Sequence, residues 1–478
     1  MSKPVIALVG RPNVGKSTLF NRLTRSRDAI VADYPGLTRD RQYGTGRLGE
    51  RPYIVVDTGG LSGEDEGVDP LMAGQVTSAL EEADAILFLV DGRQGIVPAD
   101  EQIAKYVRMF DKPIQVVVNK AEGFDHLLAT SDFFQLGLGK PLAISSAHGD
   151  NVAFCIDKVL AELPESEDSD ETDLDSHPGI RVAVIGRPNV GKSTLINRMI
   201  GEERVVAFDM PGTTRDSIFV PFERNGQEYT MIDTAGVRRR KNISEKIEKF
   251  SIVKAIEAMG KSHVVILVID GSEGLTDQDL TLLGLAMDSG RGLVLAVNKW
   301  DNLTPLQREK VKHEMSFRLS FAEYATQHYI SALHGTGVGD LFKDINAVHL
   351  AAFKRVSTSD LNRVLEQAIL DHQPPLISGR RVKLRYAHLG GLNPPRVIIH
   401  GNQVDKLPQA YVRYLMNVFR KAFKWVGTPI MIEFKGTKNP FEGRKDTQLR
   451  RKGRHDNASE FKAKKKIAKK TQKKRRQN

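Results

Sequence analysis

The feature that most constrains this chain is a long internal repeat. Gly10-Arg11-Pro12-Asn13-Val14-Gly15-Lys16-Ser17-Thr18-Leu19 returns letter for letter, 176 residues later, as Gly186-Arg187-Pro188-Asn189-Val190-Gly191-Lys192-Ser193-Thr194-Leu195. Two further pieces return at the same spacing. Pro35-Gly-Leu-Thr38-Arg-Asp40 becomes Pro211-Gly-Thr-Thr214-Arg-Asp216, and Asp57-Thr58-Gly59-Gly60 becomes Asp233-Thr234-Ala235-Gly236. Solenoid repeats run roughly 20–50 residues, so this period means a duplicated domain.

Each copy alternates short apolar runs with amphipathic ones. In copy one Val5–Val9, Tyr53–Val56, Ala85–Val90 and Ile114–Val118 read as buried strands, with a helix over Lys16–Arg25. Copy two repeats the pattern with Val182–Ile185, Tyr229–Ile232, Val264–Ile269 and Leu293–Val297. Alternating β and α elements predict an α/β fold, a mostly parallel sheet with helices on both faces. From Val356 onward the pattern changes to α-β-β-α-β. Ser359 is the expected cap of a helix stopped by Pro374-Pro375, Arg381–Ala387 and Arg396–His400 read as strands, Pro408–Trp425 as a helix and Pro429–Phe434 as a closing strand. The domains are expected at 1–163, 180–355 and 356–440, with a linker at 164–179 and a tail at 441–478. Pro164–Gly179 carries seven carboxylates and almost nothing apolar, which predicts a solvated tether.

The repeated block is a glycine-rich phosphate loop. Gly10, Gly15, Gly186 and Gly191 let the backbone wrap an anion so that successive N–H groups face it. Lys16 and Lys192 reach the outer phosphate oxygens, and the hydroxyls of Ser17 and Ser193 are ligands for Mg²⁺. Asp57 and Asp233 end strands beside the loop and are expected to hold the same ion, with Gly60 and Gly236 sensing the terminal phosphate. Thr38 and Thr214 are the candidates to close over Mg²⁺ and that phosphate. Thr213 is a rival, but only Thr214 aligns with Thr38.

Base choice is carried by Asn298-Lys299-Trp300-Asp301. The carboxylate accepts from guanine N1–H and its exocyclic amine together, which adenine cannot match. The lysine stem covers the base face, and Ser331-Ala332 is expected to bring a backbone amide to guanine O6. Copy one reads Asn119-Lys120-Ala121-Glu122, followed by Ser146-Ala147, with glutamate in the aspartate's place. Weaker guanine binding or discrimination is expected there. The residue after each switch glycine is apolar, Leu61 or Val237, so neither orients a water by hydrogen bonding. Asn13 and Asn189 either ligate a monovalent cation beside the phosphates or brace the loop. The chemistry expected is GTP hydrolysis, dependent on Mg²⁺ and stimulated by K⁺, with GTP and GDP as substrate and product.

These motifs together resemble the bacterial tandem-GTPase family called Der or EngA, over nearly the whole chain. The resemblance implies that the last module is a KH-like domain, and that the protein binds the large ribosomal subunit during its assembly in a nucleotide-dependent way. Arg413–Arg420 resembles that domain's helix, although no Gly-x-x-Gly nucleic-acid clamp is present in the module.

Charge points the same way. The net charge of +11 lies in the tail, where Arg444–Asn478 holds 16 Lys/Arg against three Asp/Glu and leaves 54 against 56 for the rest. Lys462–Arg476 has ten Lys/Arg and no acid, suited to sequence-independent contact with ribosomal RNA. It lacks the apolar face a membrane-surface helix requires. Arg238–Lys241 is a candidate link between nucleotide state and the same partner. The apolar runs are too short to span a bilayer, and the start of the chain does not read as a signal peptide. One cysteine, Cys155, agrees with a reducing cytoplasm and reads as a small buried apolar residue. A cytoplasmic monomer is expected. An RNA-modifying enzyme lacks a cofactor motif to support it, and a membrane scaffold lacks an anchor.

Overall fold

Runs of branched aliphatic residues, apolar on both faces, set the two central sheets of the computed structural model. It describes residues 3–24, 43–58, 77, 79–123, 126–164, 179–201, 218–233, 252–377, 380–404 and 407–436. In copy one, β1 (Val5–Val9), β3 (Tyr53–Asp57) and β4 (Ala85–Asp91) are buried along their whole length, and β5 (Ile114–Asn119) nearly so. Strands covered on both sides are read as continuous hydrophobic runs, the mark of a parallel sheet under two helix layers. With β2 (Tyr43–Gly46) and β6 (Leu142–Ala143) the sheet order is β2-β3-β1-β4-β5-β6. Only the β2–β3 pairing is antiparallel. Helices with described bounds include α1 (Lys16–Thr24), α2 (Pro98–Val107), α3 (His126–Ser131) and α4 (Val152–Glu162).

Copy two builds the same sheet from β7 (Ile180–Ile185), β8 (Ile218–Arg224), β9 (Gln227–Asp233), β10 (Val264–Asp270), β11 (Gly292–Asn298) and β12 (Thr326–Tyr329). The order is β12-β11-β10-β7-β9-β8, again antiparallel only at the β8–β9 edge. Its helices are α5 (Lys192–Ile200), α6 (Ile252–Lys261), α7 (Asp277–Asp288), α8 (Pro305–Arg318) and α9 (Val338–Ala352). In both copies the strand order reverses at the first strand, and the crevice beyond the carboxyl ends of the strands opens there. The glycine loop leaves the first strand at that point.

The third module consists of α10 (Thr358–Asp371), a short hairpin β13–β14 (Leu376–Ile377 and Arg380–Arg381), β15 (Lys383–Gly391), β16 (Arg396–Asn402), α11 (Gln409–Phe423) and β17 (Met431–Gly436). Its sheet runs β15-β16-β17, with β16 and β17 parallel. One face packs on α10 and α11 around Leu361, Leu365, Val397, Ile399, Leu415, Phe419 and Trp425. The helix cap differs from expectation: Ser357, not Ser359, accepts from the Asp360 amide at 3.1 Å, because the helix starts one residue before Ser359. Backbone bonds join the module to copy two, from Leu293 N–H to the Gly427 carbonyl (2.6 Å) and from Gly427 N–H to the Tyr324 carbonyl (2.9 Å).

Cys155 is buried in the copy-one core, and burial pushes its thiol up to about 12, as expected of a small apolar filler. The acidic linker apart from its ends, the basic tail and Arg238–Lys241 lie outside the described residues. Among the described residues no helix is long and apolar enough to cross a membrane.

Candidate nucleotide sites

The phosphate loop takes its shape from backbone that few residues adopt. Gly15 has φ +101°, and a Cβ there would lie 2.3 Å from Asn119 Nδ2. Asn13 and Asn189 are left-handed too, at φ 65° and 63°, a region asparagine tolerates better than other side-chain-bearing residues. That gives each asparagine a structural reason to be present, and both are exposed.

Inside the loop the lysine is held by carbonyls. Lys16 Nζ donates to Gly10 O (2.7 Å) and Arg11 O (2.8 Å), and Lys192 Nζ donates to Arg187 O (2.7 Å). Both lysines are buried. Burial pulls Lys16 down to about 8, Asp57 pushes it back up and Arg11 pulls it further down. A buried ammonium set among backbone carbonyls of a glycine-rich loop is a site prepared for an anion. Ser17 Oγ donates to Asp57 Oδ2 at 3.0 Å, so the two expected metal ligands of copy one sit side by side. Thr58 ties the end of β3 to β1 through its hydroxyl and the Leu8 carbonyl (2.8 Å).

One asparagine in each copy joins the glycine loop to the loop after the last strand of its sheet. Asn119 Nδ2 donates to Val14 O (2.7 Å) while its Oδ1 accepts from Ser146 N–H (2.9 Å). Asn298 does the same with Val190 O (2.8 Å) and Ala332 N–H (2.9 Å). Neither asparagine is more than 3% exposed. The following lysines lie across the loop: Lys120 Nζ reaches Asn13 O (2.8 Å) and Asp91 Oδ2 (2.7 Å), and Lys299 Nζ reaches Asp270 Oδ2 (2.5 Å). Each lysine holds its aspartate below the usual carboxylate range against the upward push of burial.

These bonds shift one correspondence by a residue. Ser146, expected as the counterpart of Ser331, takes the place of Ala332, and Ser145 takes the place of Ser331. His148 N–H bonds Ser145 Oγ as His334 N–H bonds Ser331 Oγ, both at 3.2 Å. The base carboxylates match accordingly. Glu122 is held below the usual range first by its own backbone amide and then by the Ser145 hydroxyl, and Asp301 first by the Ser331 hydroxyl. Ala147 falls where copy two has Leu333.

Several supporting residues carried no motif. Arg11 Nε pairs with Asp100 (3.2 Å) and Arg187 Nε with Asp279 (2.9 Å), and both aspartates are fully buried at the start of α2 or α7. Arg22 Nε donates to Ser146 O (2.5 Å) and Arg198 Nε to Ala332 O (3.4 Å), so α1 and α5 hold the loop after the last strand of their sheets. The signal was available: Asn21-Arg22 and Asn197-Arg198 repeat at the same 176-residue spacing. Thr38, Gly59–Leu61, Thr214 and Thr234–Val237 lie outside the described residues, as does the side chain of Asp233.

A family model described as a 50S ribosome-binding GTPase matches residues 5–120 and again 181–299. Another, described as the C-terminal KH-domain-like part of EngA bacterial GTPase enzymes, matches residues 355–435. The chain is 58% identical over 443 residues to the GTPase Der of Thioalkalivibrio sulfidiphilus, covering 93% of this chain and 95% of that one. It is 57% identical over 444 residues to the GTPase Der of Hahella chejuensis, covering 93% of each. Against the GTPase Der of a Marinomonas species it is 56% identical over 444 residues, covering 92% of this chain and all of the relative.

Proposed function

From the premise that this chain is a GTPase of the Der family, with two P-loop GTPase domains and a C-terminal KH-like domain, we propose that both crevices bind and hydrolyse GTP and that the cycle serves assembly of the large ribosomal subunit. The observation that carries this reading is the duplicated asparagine bridge. Asn119 and Asn298 each fix a phosphate loop and a guanine-reading loop at one mutual spacing, which is what a site for one whole nucleotide requires.

In this reading Lys16 and Lys192 leave their loop carbonyls for the phosphates. Asp301 and Glu122 read the guanine edge, and Lys120 and Lys299 cover the base. Mg²⁺ typically takes one or two protein ligands, with water and phosphate oxygens for the rest. The adjoining Ser17 hydroxyl and Asp57 carboxylate fit that demand, and Ser193 and Asp233 are their counterparts. When bound, the ion supplies positive charge at the oxygens where charge grows during hydrolysis. Thr38 and Thr214 complete each site over the terminal phosphate. Asn13 and Asn189 are the ligands for a stimulating K⁺, a role that lost hydrolysis on replacing K⁺ with Na⁺ supports and indifference to the swap refutes. Boundaries at 1–163, 180–355 and 356–440, a monomeric state and a cytoplasmic location belong to the same proposal.

Co-sedimentation with ribosomal particles tests the partner. Binding to the large subunit that requires a GTP analogue, and is lost in Lys16→Ala and Lys192→Ala, is the expected result. Binding indifferent to nucleotide reduces the contact to tail electrostatics and overturns the assembly-switch reading.

A further inference from the structure

The KH-like module has two sheet faces, and among the described residues helices cover only one of them. Ala387, Val397, Ile399 and Ile432 point to α10 and α11. Alternation along the strands sends Tyr386, His388, His400 and Lys435 to the other side. Register places them together: Tyr386 lies opposite His400, His388 opposite Ile398, and His400 opposite Lys435.

Three of these side chains form one stack. The rings of Tyr386 and His400 are 4.3 Å apart and tilted by only 7°, and His388 joins at 5.2 Å from His400. The stack ends at the sheet edge, because β15 is the outer strand and Tyr386 is 47% exposed. Burial, then His388 and Lys435, hold His400 below the usual imidazole range, so at neutral pH it is an uncharged flat ring. On this face Lys435 lies opposite His400 and pairs with Glu433 at 3.6 Å, Arg396 shares the alternation of His400 four residues back along β16, and a register shift between Leu384 and Tyr386 sets Lys383 opposite Asn402; all three cations are exposed.

We propose that this open sheet face is a stacking platform for single-stranded RNA, with an unpaired base continuing the Tyr386–His400 stack and its phosphates on the flanking cations. The chemistry selects the occupant. Of the apolar residues on this face, Ile398 is 7% exposed and Met431 is half-buried beside Gly290, so little apolar surface among the described residues offers an anchor to a peptide. What projects is flat π-surface rimmed by positive charge, the pairing that non-specific single-strand binders use. A duplex keeps its bases stacked internally and has none to offer. The site also lies away from the helix-and-clamp route, for which the module has no Gly-x-x-Gly. It rests on the module's own side chains and not on the nucleotide cycle, so it can fail while the ribosome-assembly reading stands, and the reverse.

The test is photocrosslinking of the full chain to a single-stranded RNA of about eight nucleotides carrying 5-iodouracil, with duplex RNA of the same sequence alongside. Expected is a crosslinked peptide between Tyr386 and His400 with the single strand and none with the duplex. Tyr386→Ala should lower crosslinking at this site about tenfold, the loss of one stacked base. Tyr386→Phe, which keeps the ring, should stay within about twofold on the same reasoning. Lys435→Glu, on a half-exposed side chain with no place in the core, should lower it about threefold through lost phosphate attraction, and stands in if Tyr386→Ala does not fold. Crosslinks confined to the basic tail, equal crosslinking by duplex, or a yield unchanged in Tyr386→Ala or in Lys435→Glu overturns the platform.

Discussion

The two nucleotide sites share a phosphate loop letter for letter and differ where the base is read. In copy two, Asp301 sits beside Ser331 with His334 at 3.4 Å, and position 272 is a serine turned toward Asp270. In copy one the carboxylate is a methylene longer, and Arg93, which occupies the place of Ser272, holds Glu122 Oε1 at 2.6 Å. Guanine needs both oxygens of that carboxylate, for N1–H and for the amine. In the proposed reading copy one must share or release Arg93 before Glu122 can accept from a base, whereas the neighbour of Asp301 in copy two is His334, at the longer distance of 3.4 Å. The glycine loop is identical in the two copies, and the carboxylate and its neighbours are not.

The largest expected effect tests what the copies share. Lys16→Ala and Lys192→Ala should each lower hydrolysis at their own site on the order of a hundredfold or more, the scale of losing one strong transition-state charge contact. Single-turnover assays on each variant would show it, and equal loss at both sites from either variant would mean that the sites are not independent. Next, Asn119→Ala and Asn298→Ala each strand a buried carbonyl and amide, at about 1–3 kcal/mol per group. Both should lower the thermal midpoint and weaken nucleotide binding in parallel.

The difference between the copies is probed by exchanging the carboxylates. Glu122→Asp with Arg93→Ser should tighten GDP binding by copy one about tenfold, and Asp301→Glu should weaken copy two by a similar factor, one good hydrogen bond in each direction. Arg93→Ser alone should give up to about fivefold, the worth of an exposed ion pair. Calorimetry on each site with the other disabled would decide, and no gain from the double change would break the comparison.

A pH effect is smaller. Because burial lowers Lys16 to about 8 in the empty site, nucleotide binding must restore its proton as pH rises past that value. Copy-one affinity should therefore fall between about pH 8 and 10, by up to tenfold per unit, with proton uptake visible as a buffer-dependent binding enthalpy. The smallest effect is that of Ser145→Ala or Ser331→Ala, a few-fold loss of guanine affinity from a carboxylate no longer held.

Much of this site was legible in the sequence because its motifs are contiguous. The strands were legible for the same reason, since β1, β4 and β10 are unbroken apolar runs. What escaped depends on long-range closure. Asp100 and Asp279 meet the loop arginines across about 90 residues, and no local pattern announces them. Lys299 was read for its stem, but its ammonium is fixed by Asp270, which only the parallel pairing of β10 and β11 brings near. Ser145 was missed because two serines stand together and the Ser-Ala pair was matched instead of the spacing to His148-Gly149, which repeats at His334-Gly335. β2 has glycine at two of four positions, and β8 carries Pro221, which an edge strand tolerates and an interior one does not.

The Leu293–Gly427 bond gives the third module a built-in reporter. Leu293 is the second residue of β11, the strand that ends five residues later at Asn298, and its amide is capped by a carbonyl of another module. Exchange of that one proton with deuterated solvent therefore measures how often the KH-like module lifts off. Followed with GDP and with a GTP analogue, it converts occupancy of the second crevice into an undocking rate, with no ribosome in the tube.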